Sequence, residues 1–205
     1  MQKLKLYGTP LSGHVHRVAL LLRMLDLPYE FIEAGAEVRQ SEQFRRLNPF
    51  GQIPVLVDGA QVLADSNAIL VYLVKCYAPG SHWLPESPFA AAQVQEWLSK
   101  AAGEVRYGPA SSRLIAQFSA PEDYQSALAV AARFLPQMEQ HLTDREFLAT
   151  DNATVADLAC YSYVAVAPEG GIALTPYPAI QRWVARIAAL PGFFAMPTLP
   201  EPGKR

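Results

Sequence analysis

The stretch Asn48–Ser66, NPFGQIPVLVDGAQVLADS, decides how the first part of the chain folds. It opens on turn residues, passes through two short apolar runs separated by Asp58-Gly59, and ends at Asp65-Ser66. Asp-Gly between apolar runs is a strong β-hairpin signal, and Pro54 at the head of the first run leaves the neighbouring backbone outside the ladder. An acid and a serine before an apolar run predict a helix start, whose N–H groups favour an anion. We therefore expect a hairpin, a free backbone edge at Ile53 and an anion-favouring helix end.

These features fit a peptide-like ligand that carries a carboxylate and an ammonium group. A plain hairpin followed by a capped helix, without any ligand site, has the same turn residues. Only the order of the residues distinguishes a ligand-binding hairpin from a plain one. NPFGQIPVL followed by Asp65-Ser66 resembles the glutathione-binding half of the cytosolic glutathione transferases. The resemblance implies a cis bond between Ile53 and Pro54, and a backbone pairing of Ile53 with the cysteinyl part of glutathione. It also implies that Asp65 and Ser66 hold the γ-glutamyl end, while Gln52 supports the ligand backbone.

Composition excludes several classes of protein. A chain of 205 residues that is 51% hydrophobic and 18% charged is typical of an ordered globular protein of one large or two modest domains. A net charge of −2 without a basic run gives no support to a nucleic-acid or membrane-surface role. The first ten residues, MQKLKLYGTP, lack the apolar core of a signal peptide. Cys76 and Cys160 form no CxxC, which fits a reducing compartment and removes a dithiol mechanism. We therefore expect a cytoplasmic protein.

Apolar spacing predicts an α/β region at the start of the chain. The predicted elements are a strand at Lys3–Tyr7, a helix beginning near His14, a strand at Tyr29–Glu33, weak helix at Glu37–Leu47, the hairpin and a helix at Asn67–Tyr77. Short connections between the first strand, helix and second strand imply a parallel pair. Residues 1–77 thus have the βαβ-ββα order of a thioredoxin-like domain, which we expect to bind glutathione.

The rest of the chain reads as helical. Residues 78–88, rich in proline, glycine and serine, predict a linker. The helical patterns that follow are Ala90–Phe118, Tyr124–His141, Thr154–Val166 and Ile180–Leu190. Residues 89–205 therefore predict an all-α domain that contributes the electrophile site. Thr154 and Asp157 form a capping-box pattern that resembles the one opening a buried helix of this family, and its expected role is structural.

The segment between the first strand and the first helix, TPLSGHVHRV, carries the expected chemistry. A thiol with a pKa of about 8.5 is mostly protonated at neutral pH, so a hydroxyl donor at a helix N-terminus would favour the thiolate. The spacing from Ser12 to Arg17-Val18 resembles the serine-type, phi- and theta-like members of the family, and the chain looks like a bacterial one of these. The resemblance makes Ser12 the catalytic candidate, although it also fits a simple helix cap. Tyr7 is the runner-up, as in tyrosine-type members, and otherwise a core tyrosine.

Further contacts are implied by the same resemblance. Arg39 and Gln40 fall where phi-like members hold the glycine carboxylate, although Gln40 supplies no charge and Arg39 fits a solvated surface residue equally well. The expected electrophile contacts are Leu11, His14, Arg106, Tyr107 and Arg113. Helical spacing places His16 away from Ser12, on an exposed and solvated face. No HxH, HxxxH or CxH pattern gathers metal ligands, so we expect no metal.

Three functions remain open at this point. The favoured one is a detoxifying glutathione transferase that attacks an electrophilic small molecule with the thiolate of glutathione, its co-substrate. A second is glutathione-dependent peroxidase, disulfide reductase, isomerase or dehalogenase activity at the same site. The third is a binding or scaffold protein that keeps the fold without turnover. The resemblance also implies a homodimer, in which Phe50 either inserts into the partner subunit or packs within its own chain.

Overall fold

The computed structural model describes residues 3–203, and its first part has the predicted element order. The elements are β1 (Leu4–Gly8), α1 (Gly13–Met24), β2 (Tyr29–Glu33), α2 (Ala36–Gln40), α3 (Glu42–Leu47), β3 (Val55–Asp58), β4 (Gln61–Ala64) and α4 (Ser66–Tyr77). The four strands form one mixed sheet in the order β2-β1-β3-β4. β1 runs parallel to β2 and antiparallel to β3, and the hairpin turns between Asp58 and Gln61.

The residues that lead into the hairpin, just before β3, lie outside the sheet. The ladder between β1 and β3 ends at the pair Tyr7 and Val55, so Ile53 lies just before the paired residues. The Ile53–Pro54 peptide is cis, as the resemblance implied. The backbone of Ile53 is thereby kept available at the end of the sheet where β1 leads into α1.

The second part of the chain is helical. Its elements are α5 (Pro88–Lys100), a π-helical segment (Ala101–Ala110), α6 (Ser111–Phe118), α7 (Tyr124–Leu142), α8 (Val155–Val164), a 3₁₀ turn (Ala167–Gly170) and α9 (Pro178–Ala188). The sequence had predicted one uninterrupted helix from Ala90 to Phe118, whereas ten residues in its middle are π-helical. Pro109 lacks the N–H that an α-helix needs at this position, and this explains part of the change in helical geometry. None of the helices within residues 3–203 is both long and apolar enough to cross a membrane.

The capping box at α8 is present and structural, as expected. Asp157 is fully buried and accepts hydrogen bonds from the backbone of Thr154 and Leu148 and from the indole of Trp183. Burial raises the pKa of Asp157, against the effect of these donors. The carboxylate ties the start of α8 to a preceding loop and to α9.

α1 joins the two parts of the molecule. It packs against α4 on one side and α8 on the other, so every residue from Val15 to Leu22 is buried. A Cβ atom at Gly13 would lie 2.8 Å from the ring of Tyr163, which leaves room for glycine alone at the first residue of α1. The start of α1 is therefore in direct contact with the helical part of the chain.

Candidate functional site

A cavity of about 640 Å³ opens where the first turn of α1, the hairpin approach and the start of α4 meet the helical region. Most of the residues expected to bind a ligand contribute to its wall. The predicted residues that line it are Leu11, Ser12, His14, Arg39, Gln52, Ile53, Pro54, Asp65, Ser66 and Arg106. Its size is within the usual range for a small-molecule site.

Ser12 is the N-cap of α1. Its Oγ atom accepts a long hydrogen bond of 3.4 Å from the backbone N–H of Val15, and its own N–H donates to the carbonyl of Thr9 at 3.1 Å. Because the hydroxyl acts as an acceptor within the helix, its proton is available to a group in the cavity. The helix N-terminus adds a positive potential at the same place. Both effects favour an anion next to Ser12.

Asp65 and Ser66 lie at the N-terminus of α4. The Oδ1 atom of Asp65 accepts a hydrogen bond from the N–H of Ala68 at 2.9 Å, which leaves Oδ2 to accept from an ammonium group. Asp65 has a φ of 75°, and such strained backbone in a non-glycine residue is found mostly at functional sites. Ser66 is 4% exposed and lines the cavity. An acid and a hydroxyl group thus lie side by side in the cavity wall.

Arg17 lies behind this pair and was missed as a site residue by the sequence analysis. Its Nη1 atom donates to the Oγ of Ser66 at 3.3 Å and to the Oδ1 of Asn67 at 3.0 Å. The side chain is 1% exposed, and its Nε and Nη2 atoms have no hydrogen-bond partner within residues 3–203. Burial lowers the pKa of Arg17, but a guanidinium starts so high that it stays charged. It places a positive charge behind Ser66.

The approach to the hairpin is held by Asn48. This residue is buried, and its amide donates to the carbonyl of Gln52 at 2.9 Å while accepting from the N–H of Phe50 at 3.2 Å. These bonds fix the turn that presents Gln52 and Ile53 to the cavity. Arg39 reaches the cavity from α2, where its Nε atom donates to the carbonyl of Gly35 at 3.4 Å.

The helical side of the cavity is aromatic and apolar, with one cation. Leu114, Phe118 and Tyr163 line it beside the predicted Leu11 and His14, and none of the three was predicted from the sequence. Their apolar or aromatic character does not indicate a ligand site, since such residues in a helix normally belong to the core. The cation is Arg106, which is paired with Glu122 at 3.0 Å and donates to Ser111. Glu122 is the main reason that the pKa of Arg106 is raised, although burial opposes it.

Two histidines lie on the first turns of α1. His14 packs edge-on against Tyr163, with ring centroids 5.0 Å apart, and its Nδ1 lies 3.4 Å from the Oγ of Ser66. Burial, followed by the charges of Arg17 and Arg106, lowers the pKa of His14 well below its ordinary value. His14 is therefore a neutral group in the cavity wall at neutral pH.

His16 differs from the expectation of a solvated residue. It is 4% exposed, and its ring bonds the Oγ of Ser162 at 3.0 Å and the carbonyl of Phe194 at 2.9 Å. Burial lowers its pKa as well. The expectation failed because α1 is covered on both sides, so it has no broad solvated face near its start.

Three expected contacts lie elsewhere. Gln40 is exposed at the end of α2, outside the cavity wall. Tyr107 is 59% exposed, on the outer side of the π-helical segment, and stacks with Arg106. Arg113 is fully buried and paired with Glu169 at 2.6 Å, so it cannot touch a bound electrophile. These three residues therefore lie outside the cavity wall.

Tyr7, the runner-up to Ser12, is part of a small core and not of the cavity wall. Its ring lies edge-on to that of Phe44, with centroids 6.1 Å apart, next to Leu47 and Val57. Of these two residues, only Ser12 lines the cavity.

Comparison with known proteins identifies the family. Residues 6–81 match the family model of the glutathione S-transferase N-terminal domain, and residues 104–191 match that of the C-terminal domain. The chain is 34% identical to glutathione S-transferase 3 of Zea mays, over 98% of both proteins. The chain belongs to the glutathione S-transferase family.

Solved structures of glutathione S-transferases have the same architecture. One from Xanthobacter autotrophicus is 32% identical, with a TM-score of 0.87 over 95% of this chain and 97% of the other. A glutathione transferase homologue from Drosophila mojavensis, solved with bound glutathione, is 26% identical with a TM-score of 0.84 over 93% and 90%. The thioredoxin-like and all-α parts predicted from the sequence are therefore those of a glutathione S-transferase. The part of the chain that the structure describes contains no cluster of three or more potential metal ligands.

Proposed function

We propose that this protein is a glutathione transferase that activates the thiol of glutathione as a thiolate for attack on an electrophilic small molecule. The observation that carries the proposal is that Ser12, Ile53 and Asp65-Ser66 line the same cavity, although they come from three separate segments of the chain. The wall opposite them is apolar and aromatic, as a site for an organic electrophile should be.

Glutathione would lie along the residues that lead into β3. Its γ-glutamyl ammonium would bind Asp65, and the adjacent carboxylate would bind Ser66 and the N-terminus of α4, supported by Arg17. The cysteinyl backbone would pair with Ile53 beside Pro54, with Gln52 next to it. Arg39 would hold the glycine carboxylate through a charge-assisted hydrogen bond. This orientation directs the thiol toward the first turn of α1.

Ser12 would then act as the thiolate partner. Its hydroxyl proton donates to the sulfur, and the helix N-terminus adds a favourable potential, so the thiol loses its proton more easily. The position of Ser12 in the cavity wall, compared with that of Tyr7 in a separate core, supports a serine-type member of the family. The electrophile would pack against Leu11, His14 and Arg106.

The assembly we propose is a cytoplasmic homodimer with a role in detoxification. Phe50 is 84% exposed and Phe89 is 75% exposed, and large apolar side chains with such exposure often mark an interface. Phe50 belongs to the same turn as Gln52, so a partner subunit that covers it would lie next to the glutathione site.

A panel assay tests the function directly. Glutathione affinity is measured by calorimetry, and turnover with glutathione is followed with aryl halides, enones, peroxides and mixed disulfides. We expect micromolar to millimolar binding and turnover of at least one class of electrophile. Turnover of peroxides or disulfides alone would show that the protein is a glutathione-dependent peroxidase or reductase instead. Tight glutathione binding without turnover of any class would point to a scaffold, and a lack of binding would refute the proposed site.

A further inference from the structure

We propose that Arg113 is a positioning residue for the glutathione reaction: held by Glu169, its guanidinium fixes the peptide between Leu11 and Ser12 and so aims the Ser12 hydroxyl. The role of Ser12 in this inference rests on the proposed function. The contacts of Arg113 do not, because they are made within the chain itself.

The peptide that precedes Ser12 is held at both of its polar atoms. The Nη1 atom of Arg113 donates to the carbonyl oxygen of Leu11 at 2.8 Å. On the other side of the same peptide, the N–H of Ser12 donates to the carbonyl of Thr9 at 3.1 Å. Because a peptide is planar, fixing its oxygen and its N–H fixes the plane. The N–H of His16 donates to the carbonyl of Ser12 at 2.9 Å and so holds the following peptide. With the peptides on both sides held, the direction in which the Cα–Cβ bond of Ser12 leaves the chain is set as well.

Arg113 is itself held rigidly. Its side chain is fully buried, and its Nε atom lies 2.6 Å from the Oε2 of Glu169, whose side chain is 7% exposed. The other carboxylate oxygen of Glu169 accepts from the N–H of Leu199 at 2.9 Å. With Nε paired to Glu169, the planar guanidinium has one orientation, and Nη1 is directed at Leu11.

A buried ion pair is an unusual way to fill this space. Apolar side chains of similar volume are often equally or more stabilising than a buried pair of charges, since both charges must be desolvated. Unlike an apolar residue, Arg113 provides a hydrogen-bond donor with a fixed direction at the carbonyl of Leu11. The Nη2 atom has no partner among the described residues, so the pair is retained although it is incompletely satisfied.

The same side chain also lies behind the electrophile side of the cavity. The guanidinium carbon lies 5.7 Å from the ring centroid of Phe118, which lines the cavity. Gln117, next to Phe118, donates to the carbonyls of Glu169 and Pro200 at 2.6 and 2.8 Å. Arg113 thus joins the catalytic turn in the first part of the chain to one wall of the electrophile pocket and to the segment around Leu199.

The test compares three variants. Arg113→Met removes the donor and keeps the length of the side chain, and Arg113→Lys keeps the charge but lacks the fork that serves Glu169 and Leu11 together. Arg186→Met is the matched control, because Arg186 also bonds a backbone carbonyl, that of Glu146 at 3.0 Å, pairs with the Glu146 carboxylate and stacks on Phe147. Arg186 is not part of the cavity wall.

Two readouts are needed for each variant. Amide hydrogen exchange of Ser12 reports on the peptide plane and needs no ligand. The pH dependence of thiolate absorbance in the glutathione complex reports the thiol pKa. For both Arg113 variants we expect Ser12 exchange about tenfold faster and a thiol pKa higher by about one unit, which is tenfold less thiolate below that pKa. Glutathione affinity should change less than about threefold, well under the tenfold that corresponds to 1.4 kcal/mol.

The outcomes separate this inference from the proposed function. Unchanged Ser12 exchange in a folded Arg113 variant overturns the inference, whatever the protein does with glutathione. Faster exchange with an unchanged thiol pKa also overturns it, since the held peptide would then not matter to the thiol. If the wild-type chain binds no glutathione, the proposed function fails, and Ser12 exchange alone decides whether Arg113 holds the turn. If Arg113→Met does not fold, the milder Arg113→Lys gives both readouts.

Discussion

Arg17 donates a hydrogen bond from a fully buried guanidinium to the hydroxyl of Ser66, across 3.3 Å. Two of its nitrogen atoms have no partner within residues 3–203, so the charge is kept at this place without full compensation. A buried cation directly behind a hydroxyl that lines a cavity increases the affinity of that hydroxyl for an anion, because little solvent screens the charge. The carboxylate of the γ-glutamyl group is the anion that we assign to it.

Arg17→Met should therefore separate stability from binding. Removing an incompletely paired buried charge in favour of a similar apolar side chain should leave the unfolding temperature unchanged or raise it. Glutathione affinity should fall at least tenfold, about 1.4 kcal/mol or more. Calorimetry and thermal unfolding measure the two effects. Arg23→Met, at an exposed position of the same helix, is the control, and equal affinity in both variants would contradict the role of Arg17.

Asp65 has two roles that different substitutions separate. Asparagine caps helices as well as aspartate does and tolerates a positive φ, so Asp65→Asn should keep the stability of the protein. It lacks the charge for the ligand ammonium, and we expect its glutathione affinity to fall by about 1.5–3 kcal/mol. Asp65→Ala should weaken binding similarly and also lower stability by about 1 kcal/mol through the lost cap. Calorimetry on both variants checks this; full affinity in Asp65→Asn would remove the ammonium from this site.

Ser12→Ala and Tyr7→Phe decide which hydroxyl activates the thiol. Loss of one charge-assisted hydrogen bond is worth about 1.5–3 kcal/mol, so Ser12→Ala should raise the thiol pKa by about one to two units. Turnover at neutral pH should fall accordingly and recover partly at higher pH, with a smaller change in glutathione affinity. Tyr7→Phe should leave the pKa and the rate nearly unchanged. Thiolate absorbance against pH measures both, and a shifted curve in Tyr7→Phe alone would reverse the assignment.

Phe50 tests the proposed dimer. Light scattering of the wild-type chain at micromolar concentration should give the mass of two chains. Phe50→Ala should weaken the dimer by about 2 kcal/mol or more if its ring is a central contact. Phe31→Ala, which truncates another exposed aromatic residue, is the control. A monomeric wild-type chain would refute the dimer, whereas a dimer unaffected by Phe50→Ala would place Phe50 outside the interface.

His16, which is buried, and His14, which lies in the cavity wall, predict an acid-sensitive fold. Burial lowers the folded-state pKa of His14 and His16 from the ordinary 6.5, so below pH 6.5 the unfolded chain binds protons that the folded chain does not. Stability should be fully present above pH 6.5 and be lost as the pH falls below it, by up to about 1.4 kcal/mol per pH unit for each histidine. Denaturant unfolding between pH 5 and 8 measures the slope. His16→Gln should reduce it, and an equal slope in that variant would contradict the assignment to His16.

Local turn chemistry explains why much of the first part of the chain was predictable. Asp58-Gly59, the residues around Pro54 and the Asp65-Ser66 pair specify a hairpin and a helix start through backbone requirements that need no knowledge of the rest of the fold. Ser12 was predictable for the same reason, as an N-cap after a strand. The placement of these residues on one cavity, however, came from the family resemblance and not from their spacing.

The predictions that differ from the structure concern helices whose inward faces the sequence does not show. Tyr107 and Arg113 follow the change to π-helical geometry at Ala101, where i→i+5 bonding shifts the residues that face inward from those expected for a period of 3.6. His16 was expected on a solvated face because we assumed that α1 buries a single face. In the structure, the helical part of the chain also covers the face of α1 on which His16 lies. Such coverage depends on residues far away in the chain, so no local pattern reveals it.

The contact between α1 and α8 also has a consequence for synthesis of the protein on the ribosome. His16 and Ser162, which bond each other across this contact, are 146 residues apart in the chain. At about 5–20 residues per second, α1 is made roughly 7–30 s before the residues that cover it. The turn that carries Ser12 is thus translated well before the residues that complete its final surroundings.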